Sequence, residues 1–190
     1  STKVITTGEG GMVTTDDNEL VTKMKSIREF GKVKKGIFTN YHTSLGYNWR
    51  MPEVSALMGL RQLRSIECFI TKREEIAKVY DSLLLNVDKI RLIRPDDCSR
   101  FNNFKYIVIL EKFDRQEIHE AMQEKGINMS GYVYELPLHK QPVFPLYNND
   151  YLPSTEYLCS QHICLPIYPS LDLKDAKYIA ETLIEILNQN

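Results

Sequence analysis

STKVITTGEGGMVTTDD, residues 1–17, places a lysine at position 3 a few residues ahead of a turn that holds glycine at 8, 10 and 11. A lysine beside a chain end is ordinarily a solvated surface residue. The turn changes that reading, because glycine lets the backbone approach a bulky planar group that any side chain would keep away. A lysine used for Schiff-base chemistry must be held rigidly and kept partly unprotonated by its surroundings, since an ammonium of pKa about 10.4 is no nucleophile. Glu9, in the same turn, could tune Lys3 or cap backbone amides, and it is given no catalytic role. The chain does not open on methionine, so Ser1 is expected to be either a processed end or a cut.

Outward from this stretch the pattern is mixed α and β. GGMVTTDD reads as a short strand, and Asp16 with Glu19 as a capping box that opens a helix through about Phe30, closed by Gly31. Residues 31–47, GKVKKGIFTNYHTSLGY, hold three glycines and no sustained period, and read as a loop. Pro52 suits the first turn of the next helix, with Val54, Leu57, Met58, Leu60, Leu63 and Ile66 at helical spacing. A further helix is expected over about 71–85. KIRLIRP and NNFKYIVIL then read as strands. Asp114 and Glu117 form another capping box, with Ile118, Ala121 and Met122 on one face and Gly126 as the stop. GINMSGYVY returns to extended chain. From Asp172 a stripe of Leu173, Ala176, Ile179, Ala180, Leu183, Ile184 and Leu187 makes the clearest helix of the sequence. Residues from about 88 onward therefore form a compact α+β unit, whereas 1–30 look like one strand and one helix of a larger α/β layer.

The bulk numbers exclude several partners. With 24 basic against 25 acidic residues the chain carries no electrostatic footprint for nucleic acid or for an anionic membrane surface. Its longest apolar runs, such as Ile107–Leu110, fall far short of the roughly 20 residues of a membrane span. Cysteines at 68, 98, 159 and 164 show no zinc-ligand spacing. No metal site is expected, and reduced, partly buried thiols fit a cytoplasmic protein.

Other side chains carry possible chemistry. Asn48 could cap a loop or donate its amide to a phosphate oxygen. Arg50 has the planar fork that matches phosphate or carboxylate, and an interface ion pair is the equal alternative. Tyr47 and Trp49 could stack on a ring or pack an interface, with packing favoured for Trp49. His139 lies in a proline-bounded loop as a turn residue or a substrate contact. His42 has weaker support, and His119 and His162 are read as structural.

Taken in order, the lysine with T-T-G-E-G-G-M-V, LGYNWRMPEVSALMGLRQL (45–63), KREEIAKVYDSLL (72–84), YELPLHKQPVF (134–144) and CLPIYPSL (164–171) resemble the DegT/DnrJ/EryC1/StrS family of sugar aminotransferases over nearly the whole chain. The resemblance implies fold type I of the pyridoxal 5′-phosphate (PLP) transferases. It assigns residues 1–50 to the end of the large PLP-binding domain, 51–87 to connecting helices and 88–190 to a small C-terminal α+β domain. It implies that Lys3 forms the internal aldimine with PLP and moves the proton between substrate and cofactor carbons. Asn48 would reach the PLP phosphate of the neighbouring subunit of a homodimer, and Tyr47, Arg50 and His139 would contact substrate. L-glutamate would give its amino group to a keto-sugar linked to a nucleotide, for surface polysaccharide or secondary-metabolite synthesis. Lysine at position 3, rather than histidine, favours aminotransfer over deoxygenation. The helix and side chains that hold the rest of PLP would lie before Ser1, so these 190 residues alone are expected to hold it poorly. The alternative is a non-enzymatic C-terminal module that serves dimerisation or stabilises a partner.

Overall fold

A computed structural model describes residues 3–96 and 98–189. They fall into two compact units, 1–66 and 67–190.

In the first unit, helix α1 spans Asn18–Arg28. The Asp17 carboxylate accepts from the Glu19 and Leu20 amides at 2.8 and 3.0 Å, so the cap lies one residue later than the expected Asp16. The helix ends where Phe30 and Gly31 turn left-handed, at φ 60° and 71°. The expected loop after Gly31 is instead a hairpin, β1 (Lys32–Lys35) and β2 (Phe38–His42), antiparallel with Lys32 opposite His42. The expected strand GGMVTTDD is not one: among the described residues nothing pairs with it, and a strand without a ladder partner leaves its backbone to solvent. Helix α2 (Glu53–Leu63) follows Pro52 and buries none of its residues.

The second unit holds the core. Helix α3 runs Ile66–Leu84, five residues earlier than its sequence pattern suggests. A three-stranded antiparallel sheet in the order β3 (Ile90–Leu92), β4 (Tyr106–Leu110), β5 (His162–Leu165) receives α3, α4 (Arg115–Glu124) and α6 (Leu173–Gln189). Tyr80 and Leu84, Val108 and Leu110, Ile118 and Met122, Ile163 and Leu165, and Ala180, Leu183 and Leu187 form one cluster. Successive residues of β4 and β5 are buried, which explains why YIVIL and HICL run apolar without alternation. The α6 stripe is inward as expected at 176, 179, 180, 183 and 187, while Leu173 is exposed.

Two buried polar side chains of α3 fix the backbone after β5. The Tyr80 hydroxyl donates to the Pro166 carbonyl at 2.6 Å, and Arg73 donates to the carbonyls of Ile167 at 2.8 Å and Asn103 at 3.1 Å. The L-P-I-Y-P segment is thus gripped through its main chain. Burial raises the Tyr80 hydroxyl and lowers the Arg73 guanidinium from their ordinary pKa values. All four cysteines are free thiols; contrary to the expectation of partial burial, Cys68 and Cys98 are exposed, and only Cys164 is fully buried. Helix α5 (Pro153–Gln161) buries no residue and leads directly into β5.

Candidate active site

Lys3 lines a cleft of about 770 Å³ within the first unit, together with the 6–11 turn, Met12, Met51 and the Ala56, Gly59, Leu60 and Leu63 face of α2. The turn is held from both sides. Its Thr6 amide donates to the Gln62 side-chain oxygen at 2.9 Å, the Gly8 amide donates to Thr6 Oγ1 at 3.1 Å, and the Thr7 hydroxyl donates to the Glu9 carbonyl at 3.0 Å. Gly10 has φ 150°, and a Cβ there would lie 2.6 Å from Thr7 Oγ1. A Cβ on Gly59 of α2 would lie 2.8 Å from the Thr7 methyl. Gly59 and Gln62 therefore position the turn, a role that sequence reasoning missed. The signal was present as a glycine inside a helical stripe, where it costs about 1 kcal/mol relative to alanine without a packing reason.

Tyr47, Asn48 and Arg50 come together on a second feature of this unit and do not line the cleft. Residues 47–49 lie along the end of α1: the Tyr47 amide donates to the Ile27 carbonyl at 2.7 Å, the Phe30 amide to the Tyr47 carbonyl at 2.9 Å, and the Trp49 amide to the Arg28 carbonyl at 3.0 Å. Gly46 makes this crossing possible, because a Cβ there would fall 2.0 Å from the Gly31 nitrogen. The Asn48 side-chain oxygen accepts from Arg50 Nε at 3.0 Å. That contact turns the amide's acceptor inward on Arg50 and leaves its two N–H donors for another group. Arg50 also lies over the Phe30 ring at 5.5 Å. The rings of Tyr47 and Trp49 stack on each other, 4.2 Å apart and 6° from parallel. All four side chains are exposed.

His139 belongs to the second unit, in the single turn Leu138–Lys140. It is buried, and its Nε2 meets Glu156 Oε1 of α5 at 3.0 Å. That bond, with the Leu152 amide and Lys140, lowers the Glu156 carboxyl from its ordinary pKa. His42, the candidate with weaker support, places Nδ1 2.8 Å from the Phe30 carbonyl; of the two histidines read as structural, His119 meets the Tyr132 hydroxyl at 3.1 Å and His162 bonds through both ring nitrogens. Among the described residues no His, Cys, Asp and Glu group could hold a metal ion, and no helix is long and apolar enough to cross a membrane.

A model of the DegT/DnrJ/EryC1/StrS aminotransferase family matches residues 1–184. The chain belongs to that family. Among its DegT/DnrJ/EryC1/StrS relatives is the UDP-4-amino-4,6-dideoxy-N-acetyl-beta-L-altrosamine transaminase of Campylobacter jejuni, 31% identical over 193 residues that cover 98% of this chain and 50% of that protein. GDP-perosamine synthase of Escherichia coli O157:H7 is 31% identical over 187 residues, covering 96% of this chain and 49% of that one. The structure of Helicobacter pylori PseC, an aminotransferase involved in the biosynthesis of pseudoaminic acid, superposes with a TM-score of 0.82 at 27% identity, over 93% of this chain and 48% of that chain. The fold is that of the fold-type I PLP-dependent aminotransferases. The chain spans about half the length of the curated relatives it matches.

Proposed function

We propose that this chain carries the lysine-bearing part of a PLP-dependent aminotransferase that moves an amino group from L-glutamate to a keto-sugar linked to a nucleotide. The observation that carries the reading is Lys3 in one cleft with a glycine-rich turn that α2 holds in place through Gln62. The cleft suits PLP on its own chemistry. It offers an amine, a turn whose backbone admits no Cβ at position 10, and apolar side chains from Met12, Met51 and Leu60 for the face of a ring. The names of the relatives, a UDP-sugar transaminase and a GDP-perosamine synthase, support a nucleotide-linked acceptor.

In this reading Lys3 holds PLP through Nζ, and the free donors of Asn48 serve the cofactor's phosphate in a neighbouring copy. Bound PLP supplies an electron sink for the pair left when a proton leaves the substrate carbon. Once the substrate's amine has displaced it, Lys3 Nζ would be free to take that proton and return it, which requires it to be held beside that carbon by the turn. Arg50 binds an anionic group of the substrate with its fork, Tyr47 flanks it, and His139 lines the acceptor side. The exposed Val54, Leu57 and Leu63 of α2, a helix that buries nothing, support a homodimer. Residues 1–50 then belong to the large PLP-binding domain, 51–87 to connecting helices and 88–190 to the small domain. The enzyme works in the cytoplasm, where nucleotide sugars for polysaccharide or secondary-metabolite synthesis are made.

The same exposed α2 face also favours the second reading, a non-enzymatic association module. One experiment separates them. The native protein is incubated with PLP, its visible absorption recorded, the sample reduced with borohydride, and the modified peptide identified by mass. The aminotransferase reading expects an adduct on Lys3 that Lys3→Ala abolishes. A protein with neither band nor adduct overturns it.

A further inference from the structure

His162 sits at the joint between α5 and β5, 4% exposed, with both ring nitrogens engaged. Its Nδ1 lies 2.7 Å from the Leu158 carbonyl, and the Val133 amide donates to its Nε2 at 2.9 Å. A carbonyl can only accept and an amide can only donate, so one form of the ring satisfies both: neutral, with the proton on Nδ1. Val133 opens the segment that ends at His139, and His139 is tied to Glu156 on the same helix α5. Between these two ties only Pro137 is buried, while Tyr134 and Leu138 are exposed. The segment therefore has little packing to hold it besides its two histidine ends.

We propose that neutral His162 is a positioning residue for the 133–139 segment, and that protonating its Nε2 releases the Val133 end and with it the placement of His139. A protonated ring has two donors, so the Val133 amide would face an N–H and both groups would be left without an acceptor. The groups around His162 favour the neutral ring and make its protonation costly. Arg115 of α4 lies over the Tyr132 ring at 4.1 Å and donates to the Cys159 carbonyl. Tyr132 meets the His162 ring edge-on at 5.6 Å, and its hydroxyl reaches His119 of α4 at 3.1 Å. Cys164, two residues along β5, is a buried thiol. None of these is a carboxylate, so nothing among them stabilises an imidazolium. Burial lowers the His162 pKa and the charge of Arg115 lowers it further, while hydrogen bonds to the Leu158 and Cys159 backbone oppose that in part.

This inference rests on the aminotransferase reading only for the role of His139; the latch itself is read from the amides of the segment. The test measures amide-exchange protection factors of Val133, Lys140 and Gln141 by NMR between pH 7.5 and 5.5, in the native protein and in His162→Gln. Glutamine keeps a side-chain oxygen to accept the Val133 amide and does not titrate. The native protein is expected to lose protection by about tenfold at all three amides as pH falls, the cost of one partly buried hydrogen bond. His162→Gln is expected to stay flat. Constant protection in the native protein, or an equal fall in His162→Gln, overturns the proposal. Should the variant not fold, long-range proton–nitrogen correlations of native His162 decide instead: an Nε2–H ring at pH 7.5 overturns it, and an Nδ1–H ring that gains its second proton as Val133 loses protection supports it. Failure of the lysine reading is distinguishable, because it removes the PLP adduct and leaves these amides unchanged.

Discussion

Gly46 and His162 are two residues whose replacement the structure punishes directly, for opposite reasons. A Cβ at Gly46 would stand 2.0 Å from the Gly31 nitrogen and 2.5 Å from the Phe30 carbonyl carbon, and backbone cannot step aside as a side chain can. Gly46→Ala is expected to cost about 1–3 kcal/mol and to move residues 47–50, which urea unfolding and the amide shifts of Tyr47 and Trp49 would report. His162→Phe takes the acceptor from the Val133 amide and removes the side-chain donor from the Leu158 carbonyl, which keeps the backbone amide of residue 162, at a cost of about 1–3 kcal/mol in the same assay. The pH dependence follows from the direction of its shift. A histidine whose folded pKa is lowered binds a proton more readily when unfolded. Its contribution to stability is therefore complete above the ordinary value of about 6.5 and is lost as pH falls below it towards the folded value. Native protein is expected to lose more stability than His162→Gln between pH 7.5 and 5.5. Equal losses would assign the effect to other groups.

At the scale of elements, caps and periods were legible and pairing was not. Asp114 accepts from the Gln116 and Glu117 amides as its sequence pattern predicts, and Asp114→Ala is expected to cost about 0.5–2 kcal/mol, read as a lower thermal midpoint. A helix announces itself through neighbours three and four residues away, so α4 and α6 could be read from short windows. A strand depends on a partner elsewhere in the chain. GGMVTTDD has strand composition and no described partner, whereas FTNYH, between glycines, has one in KVKK and becomes β2. HICL was hidden by the same logic: only its pairing with Tyr106–Ile109 makes four buried residues a strand. The candidate residues were legible as motifs, and the structure puts Lys3 in a cleft and Asn48 beside Arg50. What positions it, Gln62 and Gly59 of α2, lay more than fifty residues from the turn they hold and became visible only in space.

Across the whole molecule burial is unequal. Every buried apolar residue in the core lies between Ile76 and Leu187, and in the first unit only Gly31 is buried among the described residues. Amide exchange on the separate chain is therefore expected to protect β4, β5 and α6 strongly and residues 3–63 weakly, since protection follows buried contacts. Leu183→Ala, in the centre of the cluster, is expected to cost about 2–5 kcal/mol by denaturant unfolding. Comparable protection in both parts would mean that the first unit is stabilised by something other than its own packing.

The thiols of this chain turn that inequality into a clock. Cys68 and Cys98 are open to reagent, whereas burial pushes the Cys164 thiol up to about 11 and shuts it inside the sheet. A colourless aromatic disulfide should modify the two open sites within the dead time of mixing. The last to react, Cys164, waits for the molecule to come apart, so its labelling rate in concentrated reagent, where reaction outpaces reclosing, counts spontaneous openings one by one without any denaturant.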